Sequence, residues 1–522
     1  MPQLKFTLST QSLMRLAVLT ACLLGLYAWW PIGYYQDEFI YRLLNARYIQ
    51  DQSLRMGIYS LCESWLSPFP QFLAVQAWLV SFLYHSLLPH EVRLVVFAVM
   101  AIFFGLIALN GRLHSNLYLL GALVGVAGSS LLYSRPEFLH ILNLTCCLAG
   151  YLLLQAPDFK WKAIAQWLCA SLILLSCLIS SYAHMQGVLY LPLNLLCLFL
   201  LLRKHIMYMM LAMIIAVSSG IVAYQAAQQA LACNSAPQVA LHTRQLSHAI
   251  ADLPDILASK QVYEKLHWYA VRFLYKDKYS VEYLPGLKVS SWHTLLNLLV
   301  GTAVVLNLFL ALCLTVKLLV QLALQLSTKG IGTITQQHSL QLFIFLILSP
   351  TLGLFLINAG QTFYRNFFIH AVLAATIAFY YSRNNQKPQR WFKVLSFYFA
   401  IVFNASLTTN LLYFYPQFMQ GYSGWYAVPM VTEKKFMQQP IPDQCHFDAK
   451  AGKLVVDMLA YELMKHYPYL YPYEYLSIQS KLTGKSHKEI LQPMQMQGYA
   501  FACQNKQGEL HLCCGKFPAN SH

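Results

Sequence analysis

The chain has 522 residues, 57% of them hydrophobic and only 11% charged, with a mean hydropathy of +0.47. So few ionic groups cannot clothe a water-soluble globule of this size, so the expected solvent is a lipid bilayer and the expected class an α-helical polytopic membrane protein. The net charge of +16 falls mostly in short loops and at the ends of apolar runs, where it sets membrane orientation, so nucleic acid is not an expected partner.

At the N-terminus, Lys5 and Arg15 precede an apolar run that ends at Trp29-Trp30-Pro31 without a small-residue cleavage site. It reads as a retained anchor, with a cleaved signal peptide as the alternative. Further runs of spanning length lie near 68–88, 93–110, 117–133, 137–156, 163–181, 186–202, 206–230, 292–325, 339–358, 366–382 and 394–414. If all twelve crossed, the basic stretches around Arg112, Lys160, Arg203 and 383–393 would all lie outside, against the positive-inside rule.

The run at 68–88 resolves the conflict, because Pro68 and Pro70 open it and Gln71, Gln76, Ser81 and His85 interrupt it. Read as a juxtamembrane or re-entrant helix, it leaves about 11 transmembrane helices with the N-terminus inside. A transmembrane domain then covers 1–415, with outside loops at 32–92 and 231–291. Residues 416–522, with ten Lys and eight acids, form a small extracytoplasmic C-terminal domain.

Of the thirteen cysteines, Cys445, Cys503, Cys513 and Cys514 share that tail. They allow three complete pairings, the neighbours Cys513 and Cys514 being unsuited to each other, while a zinc site with His446 or His511 lacks any C-x-x-C pair. No Gly-rich nucleotide loop or internal repeat is present, which argues against nucleotide hydrolysis.

Acids are scarce: seven precede residue 231, five lie between 231 and 291, eight follow 432, and none falls between Glu282 and Glu433. Asp37-Glu38 stands out, following the aromatic belt residues Trp29, Trp30, Tyr34 and Tyr35, where partial desolvation raises a carboxylate pKa. The plain alternative is an acidic pair that merely ends a span. Arg42 and Glu63 lie in the same outside loop, on stretches suited to lipid phosphate or to a polar acceptor, although a snorkelling interfacial helix explains such arginines equally.

The turn Arg135-Pro136-Glu137 sits between two apolar runs, with a helix cap as the competing explanation for Glu137. His184 falls in the next outside turn, where a satisfied turn residue is the alternative to a ligand contact. Tyr364-Arg365 opens a late span within the acid-free region, so Arg365 has no carboxylate partner in sequence and a phosphate suits it.

In order, these segments resemble the polyprenyl-phosphate-sugar-dependent GT-C glycosyltransferases, the superfamily of protein O-mannosyltransferases and the lipid A aminoarabinose transferase. The resemblance covers roughly residues 10–400. It rests on Gln36-Asp37-Glu38-Phe39, on Glu63-Ser64-Trp65 running through Pro68-Phe69-Pro70 to Trp78, on Tyr133-Ser134-Arg135-Pro136-Glu137, on the outer turn into Tyr190-Leu191-Pro192, and on Tyr364-Arg365. Two departures stand out: a Lys-Pro-Pro-type segment is reduced to Ser67-Pro68-Phe69-Pro70, and Glu137 stands where an Asp is common.

The resemblance implies an inverting transfer of a sugar from a polyprenyl-phosphate donor to an envelope glycolipid, polysaccharide or protein at the periplasmic face of a bacterial inner membrane. In that reading Asp37 is the base and Glu38 its orienting neighbour. Glu137 acts with them, Arg42, Arg135, Tyr364 and Arg365 hold the donor phosphate and lipid, and Glu63 and His184 meet the acceptor or an optional divalent metal ion; no other cofactor is implied. A transporter or flippase, or a non-catalytic assembly factor for lipid-linked envelope glycans, is the competing reading.

Overall fold

In lipid every backbone donor and acceptor must be satisfied internally, and a helix does this within one segment. The computed structural model is accordingly helical through most of its described residues. It describes residues 9–29, 89–122, 137–183, 185–232, 291–329, 338–358, 363–383, 389–409, 412, 435–448, 453–464, 467, 470–473, 476, 480, 484–492, 496–505 and 509–516.

The long helices are α1 (Thr10–Trp29), α2 (Pro89–Leu109), α3 (Leu113–Ala122), α4 (Glu137–Gln155), α5 (Lys162–Ala183), α6 (Leu191–Leu202), α7 (Ile206–Ala232), α8 (Ser291–Lys329), α9 (Ser339–Asn358), α10 (Phe363–Arg383) and α11 (Arg390–Thr409). A 3-10 turn, Met185–Tyr190, joins α5 to α6. By length and composition α4, α5, α8 and α11 each hold a stretch able to cross a membrane, with shorter apolar helices in α2, α6, α7 and α9. The chain is an integral membrane protein.

Contacts at the helix ends fix their directions. Gln11, at the start of α1, donates to the Gly111 carbonyl between α2 and α3 (3.0 Å), and Ser382, at the end of α10, donates to the Asn110 carbonyl (2.6 Å). Tyr381 stacks on Phe392 at the start of α11, and Tyr151, late in α4, stacks on Phe343, early in α9. These ends form one side of the bundle, which also carries Arg112, Arg383, Arg390 and Lys393 and is called the basic end below.

Because α1 starts and α2 finishes at the basic end, the chain between them leaves and returns at the opposite end. The run at 68–88, read from the charge distribution as making no crossing, lies outside the described residues.

Helix association in lipid depends on close packing and polar contacts rather than on expelling water. Both are present. A Cβ on Gly121 would fall 2.6 Å from the Phe399 ring, so α11 lies directly on the α3 backbone. Nearby, Tyr118 donates to Asn307 Oδ1 (2.8 Å), Asn307 donates to the His370 carbonyl (3.2 Å), and His370 Nε2 meets the Gly121 carbonyl (2.8 Å). This buried chain of bonds ties α3, α8 and α10 together.

The C-terminal segment folds differently. Strands β1 (Lys453–Val456), β2 (Leu470–Pro472), β3 (Met496–Gln504) and β4 (Leu510–Lys516) form one sheet in the order β2-β1-β3-β4, with β1 parallel to β2 and β3, and β4 antiparallel to β3. Two short helices, α12 (Met458–Met464) and α13 (His487–Leu491), accompany it. A separate apolar cluster including Phe436, Leu454, Val456, Tyr461 and Leu512 forms its core.

Alternation along β4 sends Leu510, Leu512 and Cys514 towards that core and His511 and Cys513 to the other face. The disulfides follow: Cys514 meets Cys445 of the 3-10 turn Asp443–Cys445, and Cys513 meets Cys503 of β3. All four cysteines are thereby used, which disposes of the zinc alternative. Asp457 accepts from the Ala460 amide at the start of α12 and from the Ala502 amide of β3, each at 2.8 Å. Burial pushes its carboxyl up to about 6, against the opposing pull of those amides.

Candidate functional site at the end opposite the basic loops

Asp37, Glu38, Arg42, Glu63, Arg135 and His184 lie outside the described residues. Three others sit on described backbone: Glu137 is the first residue of α4, and Tyr364 and Arg365 lie in the first turn of α10. Since α1 starts at the basic end, it delivers the chain to the opposite end eight residues before Asp37.

The described neighbours show which segments meet there. His140, one turn after Glu137, shares a 2.7 Å hydrogen bond with Ser180 near the end of α5. Its ring centroid lies 6.0 Å from that of Phe368, one turn after Arg365, and 6.2 Å from that of Tyr190. The starts of α4 and α10 and the end of α5 are therefore neighbours. Glu137 and Arg365 begin two adjacent helices.

The outer turn is pinned to the same place. A Cβ on Gly187 would clash with the Ser180 carbonyl oxygen, so the 3-10 turn folds back on the last turns of α5. Tyr190 and Thr351 of α9 are 3.0 Å apart. The Thr351 hydroxyl already donates to the Ile347 carbonyl (2.7 Å), which leaves its oxygen to accept from Tyr190.

Below this layer a polar seam continues into the bundle. Ser176 donates to Asn143 Oδ1 (3.0 Å), and the Cys147 thiol to Asn194 Oδ1 (3.3 Å). His140, Asn143 and Cys147 recur at helical spacing on one face of α4, and Ser176 and Ser180 do so on α5. The sequence reading passed over these residues. Their signal was available as polar side chains repeating on one face of otherwise apolar spans.

The helix dipoles separate the two charged positions. An acid at the first residue of α4 complements the positive end of that helix, so Glu137 is explained by capping alone. A cation in the first turn of α10 opposes the dipole, so Arg365 is not placed there for helix stability. No acid falls between Glu282 and Glu433 in sequence, and Glu137 opens the neighbouring helix α4. As for the optional divalent ion, no group of three or more His, Cys, Asp or Glu among the described residues is arranged to hold a metal.

No protein-family model matches the chain, and no curated protein matches it. Among solved structures the chain is similar to the crystal structure of ArnT from Cupriavidus metallidurans bound to undecaprenyl phosphate, with a TM-score of 0.42 and 11% sequence identity over 95% of this chain and 97% of that one.

Proposed function

We propose that the protein transfers a sugar from a polyprenyl-phosphate donor to an extracytoplasmic envelope acceptor, at the end of the bundle opposite the basic loops. The observation that supports this reading is the meeting of the α4 and α10 starts beside the end of α5, because the first turns of those two helices carry Glu137 and Arg365. α1 ends on the same side, eight residues before Asp37, which supports assigning Asp37-Glu38 to this site.

In the proposed reaction Asp37 removes the proton of an acceptor hydroxyl as that oxygen attacks the anomeric carbon. The bond to the lipid phosphate breaks on the opposite face of the sugar, so configuration inverts. Arg365, with Arg42 or Arg135, meets the charge developing on the departing phosphate, while Glu38 and Glu137 orient base and acceptor. Eleven crossings with the basic end inside would place the site at the periplasmic face.

Two measurements test the proposal. Envelope glycans compared by mass spectrometry with and without the gene should differ by one sugar, and unchanged glycans would refute the transferase reading. Cysteines placed in the 111–116 loop should resist an impermeant thiol reagent added outside, whereas labelling there would reverse the assigned orientation.

A further inference from the structure

Three helices of the bundle leave a groove between them. It has a volume of about 470 Å³, open to the side, and is lined on α1 from Leu13 to Leu24, on α3 by Leu117 and Leu120, and on α11 from Ala400 to Leu407. From Leu13 to Leu24 an α-helix rises roughly 16 Å, about half the ~30 Å hydrocarbon thickness of a bilayer. Leu13 lies near the start of α1, so the groove begins close to the basic end and runs inward for about one leaflet.

The mouth of the groove carries one cation, Lys393, beside His114. His114 lies one turn before Leu117 on α3, and its ring meets that of Phe397 edge-on at 6.1 Å. Phe397 is one turn before Ala400 on α11, and Lys393 one turn before Phe397. Lys393 and His114 are near enough to interact electrostatically, and His114 Nδ1 is buried without a hydrogen-bond partner. None of α1, α3 and α11 contains an Asp or Glu.

We infer that this groove binds an anionic phospholipid, with one acyl chain along the apolar lining and the phosphate at His114 and Lys393. The lining suits a chain of leaflet depth, and the acid-free basic mouth suits a negative headgroup. A polyprenyl-phosphate donor is not the fitting occupant, because the candidate catalytic residues require its phosphate at the other end of the bundle.

The test uses the full chain purified in detergent, exposed to phosphatidylglycerol or phosphatidylcholine with identical acyl chains, and retained lipid is read by native mass spectrometry. Phosphatidylglycerol should be retained preferentially, by roughly five- to tenfold for a basic contact of this kind. The double variant His114→Ala with Lys393→Ala should lose the preference. Ala17→Phe, which fills the groove, should reduce retention of both lipids; Ala17→Leu serves if the larger residue prevents folding.

Arg203→Ala with Lys204→Ala, in the loop between α6 and α7, should leave the preference intact. Equal retention of the two lipids, persistence of the preference in the His114/Lys393 variant, or its loss in the Arg203/Lys204 variant would each overturn the inference. So would a photo-crosslinker at Ala17 that captures another segment of this chain rather than lipid.

Discussion

The two ends of the helical bundle use charge in opposite ways. At the basic end, two cations meet groups supplied by the chain itself: Arg383 donates to Asn110 Oδ1 at 2.7 Å beside the bond from Ser382 to the Asn110 carbonyl, and Lys162 pairs with Asp158 at 2.9 Å. At the other end, Arg365 opens α10 against the helix dipole in a stretch without acids. Position relative to the dipole does not separate the two ends, since Lys162 also opens its helix, α5; the difference lies in the partner, Asp158, that the chain supplies to Lys162.

The strongest test of that contrast is Asp37→Asn, which should lower transfer by about 10²–10⁴-fold with expression unchanged, measured with a lipid-linked donor in vesicles. Near-normal turnover would remove Asp37 as the base. Next in size, Arg365→Ala should cost about 10²–10³-fold in kcat. Arg383→Ala should instead lower the unfolding temperature and leave turnover per folded molecule unchanged. Equal effects of the two arginine variants on turnover would erase the distinction between the ends.

Smaller effects are expected in stability. Removing the Cys445–Cys514 bridge with two serines should destabilise the C-terminal sheet by about 2–5 kcal/mol, read as earlier proteolysis of that segment. Gly187→Ala should cost about 1–3 kcal/mol by forcing the outer turn off α5, seen in thermal unfolding.

The smallest expected change is in pH response. The Asp457 pKa is raised from 3.8 to about 6 in the folded protein, so the native state binds this proton more tightly than the unfolded chain does. Stability of the sheet should therefore increase as pH falls from 7 towards 4, and Asp457→Asn should flatten that dependence. A sheet that loses stability over this range through Asp457 would contradict the assignment.

Much of the membrane architecture was legible because the bilayer imposes length and polarity on each span. Among the described residues the helices overlap the predicted runs from 93–110 to 394–414, the run at 117–133 being described only as far as Ala122, while the reading of 68–88 falls outside the described residues. The tail was less legible. Its strands are short, and β1 and β2 pair in parallel across an intervening helix, a pairing that local pattern cannot announce. The polar seam of His140, Asn143 and Ser180 was also passed over, since isolated polar residues in an apolar span look alike until a partner on another helix is found.

By itself, then, the sequence determined that the chain lives in a membrane, how its basic loops are distributed, and which few acids and arginines are available for chemistry, because hydropathy and charge act locally. Only the tertiary structure decided that α4 and α10 begin side by side at the end of α5, that Cys445 pairs with Cys514 and Cys503 with Cys513, and that α1, α3 and α11 enclose a groove. These depend on contacts between residues far apart in the chain, which packing geometry selects and local pattern does not encode.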